Sequence, residues 1–215
     1  MVWYEPAVHI VVCDVGLGNL RSVERGLLEA GRGRPMDVEI SSDPARVRAA
    51  DRLVMPGQGG FRDCARALQG ELGAAVRAHI AAERPYLGLC LGLQVLFESS
   101  VEAPDCAGLG IFEGEVVKLR GGVDATTGTP LKIPHMGWNV ADPTDNPGLL
   151  AGPAHYYFVH SYVVAPRDRR IVASTTEYGD RFVSAIARGN LFACQFHPEK
   201  SQGAGLALLE RFIAS

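Results

Sequence analysis

The feature that most restricts how this chain can fold is the G-L-C-L-G run at residues 88–92. A cysteine between two glycines, after a short apolar stretch, is typical of a strand that turns sharply into a helix. The pattern predicts a strand over residues 85–89, a turn at Cys90 and a helix over residues 91–100. The N-terminus of such a helix favours the thiolate of the cysteine. A small buried cysteine in a tight connection fits the same pattern, so other residues must decide between the two interpretations.

Before this run, apolar segments typical of buried strands alternate with segments that have the apolar spacing of helices. This order predicts an α/β fold with an open, mostly parallel sheet flanked by helices. In such sheets ligands bind at the carboxyl ends of the strands, so the P-G-Q-G-G turn at residues 56–60 should share a crevice with Cys90. The predicted strands are residues 9–15, 36–40 and 52–55, and the predicted helices begin near residues 20 and 44 and cover residues 61–82.

After residue 110 the chain changes to short β segments joined by turns, with one closing helix over residues 203–214. We therefore expect additional antiparallel strands in the C-terminal half. The sequence has no internal repeat, so residues 1–215 are expected to form a single domain. The predicted strands are residues 112–119, 131–133, 138–140, 156–159, 170–174, 182–187 and 191–195.

Composition excludes several classes of function. The net charge of −3 leaves no basic excess for binding nucleic acid. No apolar run approaches the roughly 20 residues that a membrane-spanning helix needs, so no membrane association is expected. The five cysteines include no C-x-x-C pair and indicate free thiols, with neither a disulfide framework nor a metal site. These features predict a cytoplasmic protein.

A cysteine nucleophile needs a base, and a third group must hold that base in the right tautomer. His197 has the most suitable setting of the six histidines, because it follows a predicted strand and is fixed by Pro198. Glu199 comes two residues later, so in an extended segment it lies on the same side as the imidazole. Cys90, His197 and Glu199 are therefore the candidate catalytic residues.

Three motifs stand in the order found in the triad glutamine amidotransferases: P-G-Q-G-G-F at 56–61, G-L-C-L-G-L-Q at 88–94 and F-H-P-E-K at 196–200. Three further segments narrow the resemblance to the glutaminase subunits of imidazole glycerol phosphate synthase. These segments are D-V-G-L-G-N-L-R-S-V at 14–23, I-P-H-M-G-W-N at 133–139 and Y-F-V-H-S-Y at 157–162. The resemblance extends from residue 8 to the C-terminus and implies a class I glutamine amidotransferase fold.

The resemblance implies that Cys90 attacks the side-chain amide of L-glutamine, with His197 as general base and then general acid. Glu199 orients His197, and water hydrolyses the resulting glutamyl thioester to glutamate. The oxyanion of the tetrahedral intermediate would be bound by the backbone N–H of Leu91 and, after a peptide flip, by that of Gln58. No cofactor is implied.

The resemblance also implies a set of substrate contacts and a protein partner. The partner is the cyclase subunit of the synthase, a (β/α)8 barrel that receives the ammonia within a heterodimer and works in histidine biosynthesis. The expected substrate contacts are Gly57, Gly59, Gln94, Glu102, His160, Ser161 and Tyr162. The expected partner interface includes Asn19, Trp138, Tyr157 and Lys200.

The sequence departs from the family pattern at Gln58, where an aliphatic residue is expected, and this bears on how easily the loop flips. Residues 1–6 and 31–35 are local additions without catalytic content. Two alternatives remain at this stage: a glutaminase that serves another acceptor, such as pyridoxal phosphate or anthranilate synthesis, and a non-enzymatic regulatory subunit. The segments at 133–139 and 157–162 argue against the first, and intact candidate catalytic residues argue against the second.

Overall fold

The computed structural model describes residues 7–123 and 127–215, so the predicted leader at residues 1–6 lies outside the described residues. The helices are α1 (Leu20–Ala30), α2 (Pro44–Ala49), α3 (Phe61–Ala67), α4 (Glu71–Ala81), α5 (Leu91–Gln94) and α6 (Gln202–Ala214). The strands are β1 (Val8–Cys13), β2 (Met36–Ser41), β3 (Arg52–Met55), β4 (Tyr86–Leu89), β5 (Phe97–Ser100), β6 (Phe112–Lys118), β7 (His135–Pro143), β8 (Ala154–His160), β9 (Tyr162–Pro166), β10 (Val172–Tyr178), β11 (Asp180–Arg188) and β12 (Leu191–Cys194).

The described strands form one twelve-stranded sheet whose main path runs β2-β1-β3-β4-β12-β11-β10-β7-β8. Strands from β2 to β12 along this path are parallel, and those beyond β12 are antiparallel. A branch of β5, β6 and β9 joins the path at β11. The predicted α/β class is confirmed, with a parallel N-terminal half and antiparallel additions in the C-terminal half.

The helices cover both faces of the sheet, and alternate residues of the central strands serve the two faces. Leu53 packs in the cluster that includes Phe61 and Val76 from α3 and α4. Its neighbour Val54 packs in the other cluster, with Leu27 of α1 and Phe212 of α6. The central strands are buried on both sides, which explains why they appear in the sequence as continuous apolar runs.

Strand β12 lies between β4, to which it is parallel, and β11, to which it is antiparallel. Its last residue, Cys194, is in register with Leu89, the last residue of β4. The backbone N–H of Cys90 donates to the carbonyl of Cys194 over 2.8 Å. The chain after β12 is therefore held beside Cys90.

The predicted helix over residues 91–100 is wrong beyond its first turn. Helix α5 ends at Gln94, and the residues after it turn into β5. Residues after β5 donate hydrogen bonds to the backbone carbonyls just beyond α5. The N–H of Leu109 donates to the carbonyl of Val95 over 2.6 Å, and that of Ile111 donates to the carbonyl of Leu96 over 2.8 Å. These bonds satisfy the carbonyls that a continuing helix would use, and the chain turns into β5 instead.

The predicted helix over residues 61–82 is two helices, α3 and α4, separated at Gly70, which has φ of 74°. The second helix packs so closely on the end of the first that a Cβ at Gly73 would lie 1.8 Å from the carbonyl oxygen of Leu68. The predicted strand over residues 131–133 lies in an irregular segment, while β5 and β9 were not predicted. On α1, Leu28 is half exposed.

Two further observations concern the described chain. None of its helices combines the length and the apolar character required to cross a bilayer. All five cysteines are free thiols and all are buried.

Candidate active site

Cys90 occupies a strained turn at the carboxyl end of β4, as the glycine pattern predicts. Its φ of 53° lies in the left-handed region, which is rare for residues other than glycine. A Cβ at Gly88 would lie 2.5 Å from the carbonyl oxygen of Gly92, and a Cβ at Gly92 would lie 1.9 Å from that of Met55. Both glycines are thus required for the close backbone approach that holds the thiol at the turn.

A pocket of about 230 Å³ opens beside the thiol, and it has room for a small polar molecule. Most of the residues that the resemblance assigned to the substrate or the oxyanion line it. They are Gln58, Gly59, Cys90, Leu91, Gln94, Glu102, His160, Ser161 and Tyr162. Gly57 is not among the lining residues, but it lies against one of them, since a Cβ at Gly57 would be 2.6 Å from Cβ of Leu91.

His197 and Glu199 form a buried pair just beyond β12. The Nδ1 atom of His197 lies 2.8 Å from Oε1 of Glu199, and the two side chains are 2% and 3% exposed. The sequence interpretation expected Glu199 on the same side as the imidazole, as the structure has it, but it expected an extended segment there, and that part is wrong. Residues Pro198–Lys200 form a 3₁₀ turn, which brings the carboxylate back to the imidazole.

The backbone around His197 is fixed by the neighbouring strand β8. The N–H of His197 donates to the carbonyl of Tyr157 over 2.9 Å. The Ser201 hydroxyl donates to the carbonyl of His197 over 2.6 Å and accepts from the N–H of Tyr157 over 3.0 Å. Helix α1 also packs on this turn, since a Cβ at Gly26 would lie 3.4 Å from Cβ of Glu199. The imidazole is therefore held from several directions.

The electrostatics of the pair favour a charged imidazole. Burial alone lowers the pKa of His197, but interactions with Cys90 and Glu199 outweigh it and raise the pKa to about 9. Within the described residues, Nε2 of His197 is buried and has no hydrogen-bond partner. His197 can therefore carry a proton near neutral pH on the nitrogen that Glu199 does not engage.

The pocket residue His160 and its neighbour His135 have pKa values shifted in the opposite direction. Burial lowers the pKa of His160 to about 3, and the nearby His135 adds to this shift. Burial also lowers the pKa of His135 to about 4. The two rings are joined by a 3.1 Å contact between Nδ1 of His135 and Nε2 of His160. Both stay neutral near pH 7 and serve as hydrogen-bonding groups.

The loop at residues 56–60 presents a carbonyl to the site. The N–H of Leu91 donates to the carbonyl oxygen of Gly57 over 3.5 Å. In a trans peptide the C=O and the next N–H point in opposite directions, so the N–H of Gln58 faces away from Leu91. It faces Gly18 instead, where a Cβ would lie 3.1 Å from the nitrogen of Gln58. In this conformation the Gly57–Gln58 peptide accepts the hydrogen bond of the Leu91 N–H and points the N–H of Gln58 away from the site.

Two pocket residues are partly engaged by the protein itself. Oε2 of Glu102 accepts from the N–H of Phe61 at the start of α3, over 3.0 Å. The side-chain Nε2 of Gln94 donates to the carbonyl of Tyr162 and to Oε1 of Gln195, each over 3.1 Å. Both N–H groups of the Gln94 amide are thus used, and its oxygen is the atom left for a ligand.

Gln195 was missed by the sequence interpretation. Its side chain is fully buried, and its Nε2 lies 3.4 Å from Sγ of Cys90. Its position immediately before the F-H-P-E-K segment was the only available signal, because the register between β12 and β4 is not visible in a sequence. Among residues 7–123 and 127–215, no group of His, Cys, Asp or Glu side chains is arranged to hold a metal ion.

Three of the four predicted interface residues lie together. Trp138 on β7 is 47% exposed and meets the ring of Tyr157 edge-on, with 6.2 Å between ring centroids. The Nζ atom of Lys200 lies 5.9 Å from the same Tyr157 ring. Asn19 is exposed at the start of α1, where its side chain accepts from the N–H of Ser22 over 3.1 Å and caps the helix.

Comparisons with known proteins give a consistent family. Residues 11–215 match the family model described as glutamine amidotransferase class-I. The chain is 47% identical over 210 residues to the imidazole glycerol phosphate synthase subunit HisH of Nitrosomonas europaea, covering 95% of this chain and 97% of the relative. The subunit of the same name from Rhodopirellula baltica is 44% identical over 210 residues, covering 96% and 97%.

Solved structures support the same fold at much lower sequence identity. A structure titled glutamine amidotransferase matches with a TM-score of 0.69 at 18% identity, covering 96% of this chain and 99% of the other. A putative GMP synthase subunit from Thermoplasma acidophilum matches with a TM-score of 0.68 at 19% identity, covering 98% and 94%. At these identities the likeness shows a shared fold.

Proposed function

The chain belongs to the class-I glutamine amidotransferases and, within them, to the family of the imidazole glycerol phosphate synthase subunit HisH; from this premise we propose that Cys90, His197 and Glu199 are its catalytic triad. The protein is a glutaminase that hydrolyses L-glutamine to L-glutamate and ammonia. It supplies the ammonia to the cyclase in histidine biosynthesis. The main support for this triad is the buried His197–Glu199 pair beside the strained turn at Cys90.

In the first half-reaction the Cys90 thiolate attacks the side-chain carbonyl carbon of glutamine and forms a tetrahedral intermediate. His197, protonated because its pKa is raised to about 9, gives the Nε2 proton to the leaving nitrogen. The C–N bond breaks, ammonia leaves, and the sulfur remains joined to the glutamyl group as a thioester. Glu199 stabilises the imidazolium and holds Nδ1, so that Nε2 faces the reacting atoms.

In the second half-reaction His197 removes a proton from water, and the resulting hydroxide attacks the thioester carbon. The C–S bond breaks, glutamate leaves, and the sulfur returns as a thiolate beside the reprotonated imidazole. The same histidine therefore acts as acid in one half-reaction and as base in the other. The buried pair needs no rearrangement between the two, because Ser201 and Tyr157 hold its backbone throughout.

The oxyanion is bound by the N–H groups of Leu91 and Gln58, after the Gly57–Gln58 peptide rotates. In the conformation described above, the Gly57 carbonyl accepts from the N–H of Leu91. Rotation frees that donor and brings the N–H of Gln58 to the same side. Losing one oxyanion donor typically costs about 2.7 to 4 kcal/mol of transition-state stabilisation. The direction of this single peptide is thus sufficient to switch the glutaminase.

The substrate's amino-acid end lies in the pocket beside Cys90. The carboxylate of Glu102 pairs with the α-ammonium, and the free carbonyl oxygen of Gln94 accepts a second bond. The loop residues Gly57 and Gly59 contact the substrate as well, and of the two Gly59 lines the pocket. His160, Ser161 and Tyr162 bind near the α-carboxylate from the opposite wall.

The partner that receives the ammonia is the cyclase subunit, and we propose that it is a (β/α)8 barrel in a heterodimer with this chain. The docking face includes Asn19 and a cluster of the exposed Trp138 with the half-buried Tyr157 and Lys200. An exposed aromatic cluster of this kind is typical of interface hot spots. We further propose that residues 1–215 form one glutaminase domain and that this domain works in the cytoplasm, a reducing compartment that is compatible with five free thiols.

Glutamate release by the full chain, alone and with the cyclase subunit and its ribonucleotide ligand, tests the proposal. The variant Cys90→Ala should reduce release to the uncatalysed level, a loss on the order of 10⁴-fold or more. The matched control is Cys106→Ala, which removes another buried free thiol that does not line the pocket. Survival of activity in Cys90→Ala, or its loss in both variants to the same extent, would contradict the triad.

A further inference from the structure

The sulfur of Cys90 has a second polar neighbour besides the proposed base. The Nε2 atom of Gln195 lies 3.4 Å from Sγ, within hydrogen-bonding range for sulfur. The Gln195 side chain is fully buried, so its amide has no access to solvent. A buried amide is expected to satisfy its donors and acceptors within the protein. The question is which end of the amide faces the thiol.

The contacts of the neighbouring Gln94 fix this orientation. The carbonyl of Tyr162 can only accept a hydrogen bond, so Gln94 must turn its NH₂ group toward it. The second N–H of that group then meets the Gln195 side chain, which must present its oxygen there. The NH₂ group of Gln195 is left facing Cys90. Gln195 is therefore a donor to the sulfur and not an acceptor from it.

The backbone holds this donor in place. The N–H of Gln195 donates to the carbonyl of Ser184 on β11 over 2.8 Å. On the other side, the N–H of Cys90 donates to the carbonyl of Cys194, the residue before Gln195, over 2.8 Å. Donor and acceptor are thus tied to each other through adjacent strands. The hydrogen bond is organised before any substrate binds.

Resting on the proposed function, in which Cys90 is the nucleophile, we propose that Gln195 is a catalytic residue whose side-chain amide donates a hydrogen bond to the Cys90 thiolate. The amide transfers no proton. It stabilises negative charge on the sulfur in addition to His197, both before attack and when the thioester breaks. While the sulfur is part of the thioester its charge is absent, so the bond is strongest in the thiolate states.

The titratable groups around the sulfur limit what else can produce a pH dependence. They are His197 and Glu199 after β12, Cys194 on β12, Cys64 on α3, and Glu102, His160 and Tyr162 in the pocket wall. Burial raises the pKa of Cys64 to about 12 and that of Cys194 well above its usual range, so both remain neutral thiols. Changes in Cys90 reactivity near neutral pH therefore report on Cys90 itself and its coupling to His197.

The test is the pH dependence of Cys90 alkylation by iodoacetamide in the full-length chain, located by peptide mass spectrometry. Gln195→Met removes the donor with little change in volume, and its alkylation midpoint should rise by about one pH unit. Gln195→Glu keeps the shape and replaces the donor with an acceptor or a negative charge, so the rise should be larger. The control is Thr176→Val, which removes a buried hydroxyl elsewhere in the sheet and should leave the midpoint unchanged.

A merely structural role for Gln195 would lower the melting temperature without moving the alkylation midpoint. A midpoint that stays at the wild-type value in either folded variant overturns the inference. Should Gln195→Met not fold, the near-isosteric Gln195→Glu decides the matter by the same criterion. If Cys90 of the unmodified chain is not alkylated ahead of the other four cysteines, the proposed function fails, and the inference fails with it.

Discussion

The two halves of the crevice differ in how far they are prepared for the proposed reaction. The half that follows β12 is complete, with His197 and Glu199 2.8 Å apart and almost fully buried. The half that follows β3 is incomplete, because the Gly57 carbonyl accepts from the N–H of Leu91 over 3.5 Å. The acid–base groups are in place in this conformation, whereas the donors for the oxyanion are not.

This difference follows from what each half is made of. The first half consists of side chains on a short turn that β8 and Ser201 hold by hydrogen bonds. The second half consists of backbone in a loop with glycine at positions 57, 59 and 60, where rotation of one peptide costs little. Regulation is therefore expected to act on the loop, where the free-energy difference between conformations is small, and to leave the acid–base pair unchanged.

The strongest test of this contrast is His197→Asn. Because the acid–base half is complete in either loop conformation, its loss should reduce glutamate release on the order of 10⁴-fold, with and without the cyclase subunit. Steady-state glutamate release measures both conditions. A variant that loses activity only in the presence of the partner would contradict the view that this half is always assembled.

Glu199→Gln should have a smaller effect, about 10²-fold on glutamate release, because the imidazole remains but loses its stabilising charge. The pKa of His197, raised to about 9, should fall toward its ordinary value, since one of the two groups that raise it is gone. The basic limb of the pH–rate profile should therefore move to lower pH. An unchanged limb would mean that Glu199 does not act on the base.

The same variant should change how stability depends on pH. A histidine whose pKa is higher in the folded state contributes stability that is fully present below about pH 6.5 and is lost as pH rises through about 9. The difference in melting temperature between wild type and Glu199→Gln should thus be largest near pH 6 and smaller above pH 9. Thermal melts across this range provide the measurement.

Trp138→Ala tests the surface at which the cyclase subunit is proposed to bind and so to act on the loop. Truncation of an exposed aromatic at an interface centre typically costs about 2 kcal/mol, so the Kd for the cyclase subunit should rise about 30-fold. Leu28→Ala removes a similarly exposed apolar side chain from α1 and should leave the Kd unchanged. Calorimetric titration measures both, and equal effects of the two substitutions would count against the proposed docking face.

Gly57→Ala is expected to have the smallest effect on glutamate release, and without the partner it should raise the rate instead of lowering it. A Cβ at this position would lie 2.6 Å from Cβ of Leu91, so the substitution strains the conformation in which the carbonyl accepts from Leu91. The rate of glutamate release without partner should therefore rise. The ratio of the rates with and without the cyclase subunit should fall about 10-fold, which corresponds to about 1.4 kcal/mol of activation free energy. An equal rate loss with and without partner would show that the added methyl blocks the active loop instead.

The fold was predictable where local pattern and burial agree. Strands β3 and β4 are short apolar runs between turn residues, and Asp43 before Pro44 begins α2 as an N-cap. The end of α5 at Gln94 was not predictable, because four of the five residues 93–97 are apolar and all five are buried. The hydrogen bonds that end α5 come from residues 109 and 111, and periodicity carries no information about them.

In the candidate site, too, some features were predictable from the sequence and others were not. Cys90, His197 and Glu199 stand in motifs with chemically distinctive residues, so their proximity was predictable. Gln195 is uncharged and adjoins one of these motifs, and only the pairing of β12 with β4 brings it to the sulfur. The direction of the Gly57–Gln58 peptide was not predictable either, since glycine permits both orientations at similar energy.

The late position of β12 in the chain also sets when this protein becomes reactive. Cys90 is synthesised well before β12, and β12 must pair with β4 before His197 and Gln195 reach the sulfur. During synthesis and folding, the thiol therefore has neither its base nor its donor, and it remains weakly nucleophilic. The topology delays thiolate chemistry until the sheet is complete, so an unfinished chain neither consumes glutamine nor exposes an activated sulfur to oxidation.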